Sequence, residues 1–243
     1  MKFRFDSGEH YIISQKQILE YGNIQFLVRY ASLYIYVTKG LLSDQSDYEG
    51  TLIRYMDCFW LFLPDDYLQQ AVLWRDFYRC FGEYYEDLID DRWNIECIGM
   101  LVSHIDARTG FHRAKRILDF GCGSGLSTKV KVQGKILGYE PVDEMRKQAQ
   151  QRGMELLTRE EIQNMPDNTF DAVFSSYVFH MAVLDGDIEL VLGRMKQGAI
   201  WVANFYKNIN LEYVNAVFIR NGCRLKRLRV QEERYGAVYE YQK

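Results

Sequence analysis

The second part of the sequence predicts an α/β fold, a seven-stranded, mostly parallel sheet that ends in an antiparallel hairpin. From Arg116 onward, apolar strand-like runs alternate with helix-like segments, which is typical of parallel strands joined by right-handed crossovers. Glycines follow the first run directly, as they do where a strand turns sharply into a helix. The last two runs, at 225–230 and 237–241, are separated by a short polar segment, which predicts an antiparallel pair.

The remaining five strands are expected where short apolar runs are bounded by polar or glycine-containing segments. The centres of these runs are Leu118, Leu137, Leu156, Val173 and Val202. Together with the final pair they account for the seven strands.

Two segments near the N-terminus predict helices. Apolar residues recur with a helical period over 24–35 and again over 52–63, where Pro64 ends the second segment. Tyrosines in the first segment leave a strand as its alternative. A small hairpin is expected between residues 3–5 and 11–13.

Further helices are expected along the first part of the chain. Asp65 or Asp66 can cap the next helix, and another helix is expected over about 93–104. We therefore predict a mainly helical, aromatic-rich accessory region or lid over 1–75, followed by a ligand-binding domain over 76–243.

The glycine-rich segment over 117–125 predicts a small-molecule loop. A phosphate-binding loop of the type G-x-x-x-x-G-K-[ST] is excluded, because Leu126 stands where its second glycine is required. A dinucleotide fingerprint, G-x-G-x-x-G, would need its third glycine one residue later than Gly125. The pattern L-D-x-G-C-G-x-G fits without a gap.

An acidic residue follows at the expected end of the second strand. Glu140 comes 19 residues after Gly121, and a carboxylate there can accept hydrogen bonds from both hydroxyls of a ribose. Dinucleotide enzymes share this spacing, so the spacing alone leaves both kinds of cofactor open.

Four motifs in order resemble the class I, Rossmann-like, S-adenosylmethionine (SAM) dependent methyltransferases. They are the glycine segment, G-Y-E-P-V-D-E-M at 138–145, P-D-N-T-F-D-A-V at 166–173 and M-K-Q-G-A-I-W-V at 195–202. The resemblance covers about 76–243. It implies a Rossmann-like sheet, SAM as cofactor, S-adenosyl-L-homocysteine as product, and methyl transfer to an O, N or C atom of a small apolar or aromatic acceptor.

The resemblance also implies which residues hold the cofactor. They are Asp119, Gly121, Cys122, Gly123, Gly125, Glu140, Pro141, Glu161 and Ser175. Asp119 has loop bracing as its alternative role, and Glu161, a reader of the adenine amino group, has helix capping. The backbone carbonyl of Ser175 is the expected partner of the methionine amine.

Two residues are candidates for the chemistry. His180 follows the fourth strand and could accept a proton from the acceptor, with ordinary core packing as its alternative. Tyr85 lies in a segment that resembles the part of the family laid over SAM, with packing on a helix as its alternative. The segment between Gly125 and Glu140 is short and rich in β-branched residues, so the first helix is expected to span only a turn or two.

Composition limits the other classes of function. The five cysteines are far apart without a C-x-x-C pair, and the four histidines form no cluster, so no metal site is expected. The net charge of −3 argues against nucleic acid as substrate. No apolar run is long enough for a membrane span, and we expect a cytoplasmic protein, monomeric or homodimeric.

Three alternatives stay open at this point. The chain could bind SAM without methylating, or catalyse another reaction on the same fold. A nicotinamide-dependent oxidoreductase is the third alternative.

The basic cluster over 220–229 is expected to be an exposed strand face that protects a sheet edge, with phosphate binding as its alternative.

Overall fold

The computed structural model describes residues 3, 9–18, 24–39, 51–110, 115–230 and 235–243, and the chain divides into two compact units. The first unit comprises Met1–Ile89 and the second Asp90–Lys243. The predicted boundary at 75/76 differs from this division, because it falls inside a helix of the first unit.

The first unit is built on a five-stranded sheet. Its elements are β1 (Glu9–Ser14), β2 (Ile24–Tyr30), β3 (Leu33–Lys39), β4 (Thr51–Tyr55), β5 (Phe59–Leu63), helix α1 (Tyr67–Phe81) and the short helix α2 (Tyr85–Leu88). The strand order is β2-β3-β1-β5-β4, in which only β1 and β5 pair in parallel.

The prediction of a mainly helical N-terminal region is therefore wrong. Both segments expected to be helices form hairpins, β2–β3 and β4–β5. Their turns use left-handed residues other than glycine: Ala31 has φ 48°, Met56 φ 47° and Asp57 φ 54°. Because such turns usually contain glycine or asparagine, Ser32 and Asp57 give only a weak turn signal there. The strand alternative for the first segment is the one that the structure adopts.

Aromatic rings fill the interior of the first unit. The ring of Phe59 on β5 lies 4.9 Å from that of Phe77 and 4.8 Å from that of Phe81, both on α1. Asp66 caps α1 as predicted, because its side chain accepts a hydrogen bond from the Gln69 backbone N–H. The predicted role of this unit as a lid stays a prediction. Of the hairpin expected between 3–5 and 11–13, residues 4 and 5 lie outside the described residues, and Tyr11–Ile13 pairs instead with β3 and β5.

The second unit contains the predicted α/β fold. Its elements are α3 (Asp91–Thr109), β6 (Arg116–Phe120), β7 (Lys135–Tyr139), α4 (Asp143–Gln151), β8 (Leu156–Leu157), α5 (Arg159–Asn164), β9 (Phe170–Ser175), α6 (Asp185–Arg194), β10 (Met195–Phe205), α7 (Leu211–Arg220), β11 (Arg224–Leu228) and β12 (Ala237–Gln242). The seven predicted strands and the helix expected over 93–104 are confirmed.

The sheet of the second unit has the order β11-β12-β10-β9-β6-β7-β8. Strands β6 to β10 pair in parallel, and β12 is antiparallel to both β10 and β11, which confirms the predicted C-terminal hairpin. The chain runs from β6 to β7 on one side and later returns to β9 on the other. The order thus reverses next to β6, and in such sheets ligands bind at the carboxyl ends of the strands beside this point.

Helix α3 is fastened to the sheet by a buried carboxylate. Glu240 on β12 accepts hydrogen bonds from His104 Nε2 at 2.6 Å and from both Nε and Nη2 of Arg108 at 3.1 Å. Burial alone would raise the pKa of this carboxyl, but the hydrogen bonds from His104 and Arg108 together hold it below the ordinary value. Strand β12 and helix α3 are therefore fixed relative to each other.

Candidate functional site

The glycine turn lies where the order of the sheet reverses. Gly121, Gly123 and Gly125 all have left-handed φ values, 74°, 54° and 82°. The backbone N–H groups of Gly121 and Cys122 donate to the carbonyl of Tyr139 at 2.8 and 3.1 Å, which closes the turn against β7. A 3₁₀ helix over Leu126–Lys129 follows, so the predicted short first helix is confirmed.

Gly125 is required by space as well as by backbone conformation. A side-chain carbon at this position would lie 2.9 Å from the backbone Cα of Ala149 on α4. At Gly123, in contrast, the nearest atom to such a carbon is Met145 Cε at 3.7 Å. The turn is thus packed closely on α4 at Gly125 and has more room at Gly123.

Glu140 binds the glycine turn directly. Its Oε2 accepts a hydrogen bond from the Gly123 backbone N–H at 3.0 Å, and its Oε1 accepts one from the Val142 N–H at 3.0 Å. Burial raises the pKa of this carboxyl to about 7, although the two N–H donors and Arg146 act in the opposite direction. A carboxylate has about four acceptor positions, so two remain for hydroxyl donors of a ligand.

Asp119, on β6, stabilises the glycine turn through the 3₁₀ helix that follows it. Its Oδ2 accepts a hydrogen bond at 2.6 Å from the hydroxyl of Ser127 in the following 3₁₀ helix, and both side chains are buried. Burial raises the pKa of Asp119 to about 7, a shift that the Ser127 bond opposes and the charge of Glu140 increases. The geometry matches the bracing alternative, and a contact of Asp119 with the methionine amine stays a prediction.

Arg152 is a second brace, which the sequence analysis missed. Its Nη1 donates to the backbone carbonyl of Ser124 at 2.8 Å and to the Ser124 hydroxyl at 2.6 Å. Arg152 follows α4, where a basic residue is favourable for the helix alone. The sequence therefore held no signal that links it to the turn.

Tyr139, at the end of β7, and Glu161, in α5, have structural contacts of their own. The hydroxyl of Tyr139 donates to Asp187 Oδ2 at 3.0 Å, and Arg159 pairs with the other oxygen of the same carboxylate at 2.9 Å. Pro141 is exposed. Glu161 and Thr158 form a reciprocal capping box at the start of α5, with bonds of 2.7 and 3.1 Å. The capping alternative for Glu161 thus matches the structure.

Ser175 and His180 lie beyond the glycine turn, at the end of β9 and after it. The Ser175 hydroxyl accepts a hydrogen bond from Trp201 Nε1 at 2.9 Å. His180 is only 2% exposed, and its carbonyl accepts a bond from Asn210 Nδ2 at 3.3 Å. Burial, with a smaller contribution from Lys207, lowers the pKa of His180 to about 3. The imidazole is therefore neutral at physiological pH, and burial makes it a weak base.

The other candidates are placed as follows. Tyr85 begins α2 in the first unit, where its ring lies 5.9 Å from that of Tyr78, and its position over the cofactor stays a prediction. Cys122 is buried with a free thiol in the glycine turn, where burial raises its pKa.

Among the described residues, no three potential metal ligands come together. Within the same residues, no helix has the length and hydropathy of a membrane span.

The basic cluster lies at the edge of the sheet. Arg224, Lys226 and Arg227 are exposed on β11, the terminal strand. Arg220 pairs with Asp185 at 3.1 Å and with Glu189 at 3.2 Å. Charged side chains on an edge strand discourage pairing with other chains, in agreement with the expected exposed strand face.

Comparisons with known proteins relate the second unit to one enzyme family. Residues 118–197 match the family model described as "Methyltransferase domain". No curated protein matches the sequence significantly. A solved structure from Methanococcus maripaludis, assigned as an S-adenosyl-L-methionine-dependent methyltransferase, has a TM-score of 0.50 at 13% identity, over 68% of this chain and 92% of that one. This likeness shows the fold.

Two further solved structures have slightly lower scores. An Aquifex aeolicus SAM-dependent methyltransferase has a TM-score of 0.45 at 19% identity, over 63% of this chain and 97% of that one. CalS10 from Micromonospora echinaspora, an amino pentose methyltransferase solved with SAM bound, has a TM-score of 0.49 at 15% identity, over 65% and 95%.

Proposed function

Because the chain belongs to the class I SAM-dependent methyltransferases, whose cofactor is SAM, we propose that it methylates an O, N or C atom of a small apolar or aromatic acceptor. The observation that supports this best is the hydrogen bond between Glu140 and Gly123. It joins a ribose-binding carboxylate and a glycine turn at the place where a sheet of this order binds ligands.

The turn and Glu140 fit the cofactor. Left-handed glycines bring bare backbone to the ligand, and Glu140 keeps acceptor capacity for the two ribose hydroxyls. Pro141 and Glu161 are proposed to lie near the adenine, and the Ser175 carbonyl near the methionine amine. Asp119 and Cys122 complete the cofactor set, with Asp119 bracing the turn.

SAM supplies a methyl group that is already activated by a sulfonium charge, so positioning and exclusion of water are the main tasks left to the protein. We propose that His180 serves the acceptor as its base or as its hydrogen-bond partner. Its imidazole is neutral, and because a pKa of about 3 makes it a weak base, this pKa must rise in the complex if His180 is to take the proton.

A ligand panel separates this function from its alternatives. The thermal unfolding midpoint is measured with SAM, S-adenosylhomocysteine, NAD and NADP, each at the same concentration. A specific ligand stabilises the native state by RT ln(1 + [L]/Kd), about 2.7 kcal/mol at one hundred times Kd. We expect a rise in the midpoint with the first two ligands only. A rise with NAD or NADP alone would overturn the proposal.

Binding alone does not show transfer, so turnover is measured separately. Release of S-adenosylhomocysteine is followed with a panel of small aromatic and apolar acceptors. Acceptor-dependent release supports methylation. Firm SAM binding without release for any acceptor class would favour a SAM-binding protein that does not methylate.

A further inference from the structure

The carboxyl ends of β9 and β10 carry aromatic side chains outside the predicted cofactor set. Tyr177 lies two residues beyond β9 and Tyr206 one residue beyond β10, and these strands are parallel neighbours. The centroids of the two tyrosine rings are 5.7 Å apart, with 67° between their planes. The imidazole of His180 lies 6.1 Å from the Tyr206 ring, at 83°. We call Tyr177, Tyr206 and His180 the aromatic corner.

Tyr177 is held in an unfavourable backbone conformation. Its φ of 54° is left-handed, which is uncommon for a bulky side chain. Its backbone N–H donates to Oδ1 of the buried Asn204 at 2.7 Å, and Asn204 Nδ2 donates to the Tyr235 carbonyl at 3.0 Å. Strained residues fixed by their surroundings in this way are concentrated at ligand sites. Asn204 is therefore a positioning residue for the corner.

The corner combines an open aromatic face with a positive charge. Tyr206 is 46% exposed, which leaves much of its ring available for stacking or edge-to-face contact. Lys207 Nζ lies 5.9 Å from the centroid of this ring, and the same charge contributes to the neutral state of His180. An ammonium at this place attracts an anionic oxygen and repels a protonated amine.

We propose that the aromatic corner binds a phenolic acceptor, with its ring against Tyr177 and Tyr206 and its oxygen toward Lys207. The chain is then an O-methyltransferase of aromatic hydroxyl compounds. This inference rests on the proposed methyltransferase function and assigns its acceptor class. An alkylamine acceptor is the competing outcome.

The reaction balances without a further reactant. The phenolic oxygen forms the new C–O bond as the bond between the methyl carbon and sulfur breaks, and the electron pair of that bond stays on sulfur. The products are the aryl methyl ether and S-adenosylhomocysteine. The phenolic proton passes to solvent as the bound phenol ionises, because an imidazole with a pKa of about 3 does not retain it. Lys207 favours the ionised oxygen, which is the better nucleophile.

The test uses 4-nitrophenol, whose phenolate has its own absorption band and so reports binding and ionisation together. It is titrated into protein saturated with S-adenosylhomocysteine. Two matched ligands are titrated in parallel: 4-nitroanisole, which lacks the ionisable oxygen, and 4-nitrobenzylamine, which is cationic. We expect 4-nitrophenol to bind tightest, and bound 4-nitrophenol to ionise at a lower pH than in free solution.

Variants distinguish the contribution of the Lys207 charge to ligand binding from that of the Tyr206 ring. Lys207→Met should weaken phenolate binding roughly three- to tenfold and return the ionisation of bound 4-nitrophenol toward that in solution, whereas Lys207→Arg should not. Tyr206→Leu should weaken all three ligands roughly three- to tenfold, and Tyr206→Phe should retain them. Lys226→Met, which removes a charge from exposed strand β11, is the matched control and should change nothing.

Two results would overturn the phenolic acceptor. One is tighter binding of 4-nitrobenzylamine than of 4-nitrophenol. The other is an unchanged preference for phenolate in Lys207→Met. Calorimetry with S-adenosylhomocysteine alone shows whether the proposed function is wrong or only the assigned acceptor class. Without that binding the proposed function itself fails, whereas normal cofactor binding without 4-nitrophenol binding refutes only the acceptor class.

Discussion

The Glu140 carboxylate accepts a hydrogen bond from the Gly123 backbone N–H at 3.0 Å, so the end of β7 and the turn after β6 form one structural unit. The same carboxylate holds the Val142 N–H before α4. A single side chain therefore connects two loops that the sequence presents as separate motifs. Since the carboxyl is buried with a pKa of about 7, its ionised form is costly until a ligand donates further hydrogen bonds to it.

Replacing Glu140 by alanine should weaken SAM binding strongly. Each charge-assisted hydrogen bond to a ribose hydroxyl is worth about 1.5–3 kcal/mol, so we expect the Kd to rise by roughly ten- to more than hundredfold. Calorimetry with SAM measures it, and urea unfolding of the same variant shows whether the unit stays folded. Glu155→Ala is the control, since Glu155 is 57% exposed and pairs with Lys135. Unchanged SAM affinity in a folded Glu140→Ala protein would refute the ribose assignment.

SAM affinity should rise with pH through neutrality. Burial raises the pKa of Glu140 from 4.5 to about 7, and hydroxyl donors favour its ionised form, so binding should release protons near this pH. Titrations at about pH 6 and 8, in buffers with different ionisation enthalpies, measure the proton count. Glu140→Gln should lose that release. Proton uptake on binding, or the same release in Glu140→Gln, would contradict the prediction.

The pH dependence of stability in the ligand-free protein should be opposite to that of SAM affinity. The carboxyl groups of Asp119 and Glu140 should make stability fall as pH rises. Folded pKa values of about 7 for Asp119 and Glu140 lie above the ordinary values of 3.8 and 4.5. Their contribution to stability is therefore fully present below the ordinary pKa values and is lost as pH rises through about 7. Urea unfolding of Glu140→Gln against the parent protein at about pH 5 and 8 checks this: the variant should lose less stability between the two pH values. An equal loss would show that Glu140 is not the titrating group.

The α/β unit was predictable because its signals are local. The strands are indicated by the spacing and length of the apolar runs. The glycines at 121, 123 and 125 occupy left-handed conformations that other residues rarely adopt. The contacts that brace the turn were not predictable. Arg152 is 28 residues from Ser124 in sequence, and only the packing of α4 on the turn brings them together.

In the first unit, the predicted secondary structure was wrong, because the signals that decide it are not local. Sequence periodicity assigned helices to 24–35 and 52–63, because neither hairpin turn contains a glycine or asparagine. In β4 the exposed Thr51 and Arg54 stand beside the buried Ile53 and Tyr55, a pattern too short to exclude a helix. Pairing with distant strands decides the outcome in such segments, and a local pattern does not contain that information.

Alanine at Gly125 and at Gly153 should have different effects, although both glycines are left-handed, with φ of 82° and 80°. Leaving glycine at such a φ costs about 1–2 kcal/mol in either case. At Gly125 the new carbon would also approach Ala149 Cα to 2.9 Å, whereas nothing lies within 4 Å at Gly153. We expect an additional loss of about 1–3 kcal/mol, and weaker SAM binding, for Gly125→Ala only. Urea unfolding and calorimetry measure both, and equal effects of the two variants would show that the turn yields to the clash.

Replacing His180 by glutamine should reduce methyl transfer and leave SAM affinity near that of the parent protein. If His180 accepts the acceptor proton, the loss in kcat should be about 10²–10⁴. The pKa of His180 is lowered from 6.5 to about 3, so the imidazole stays neutral and its own ionisation should give a flat kcat profile from about pH 5 to 9. His104→Gln is the control, because His104 contacts Glu240 on β12 and has no proposed part in the chemistry.

The same shift predicts a stability effect of His180. A histidine whose folded pKa lies below 6.5 binds its proton more readily in the unfolded chain, so the native state loses stability as pH falls from about 6.5 toward 3. His180→Gln should remove part of this loss, measured by urea unfolding at about pH 7 and 5. A variant that removes it yet retains most of the parent kcat would identify His180 as a buried packing residue, and methyl transfer would then depend on positioning alone.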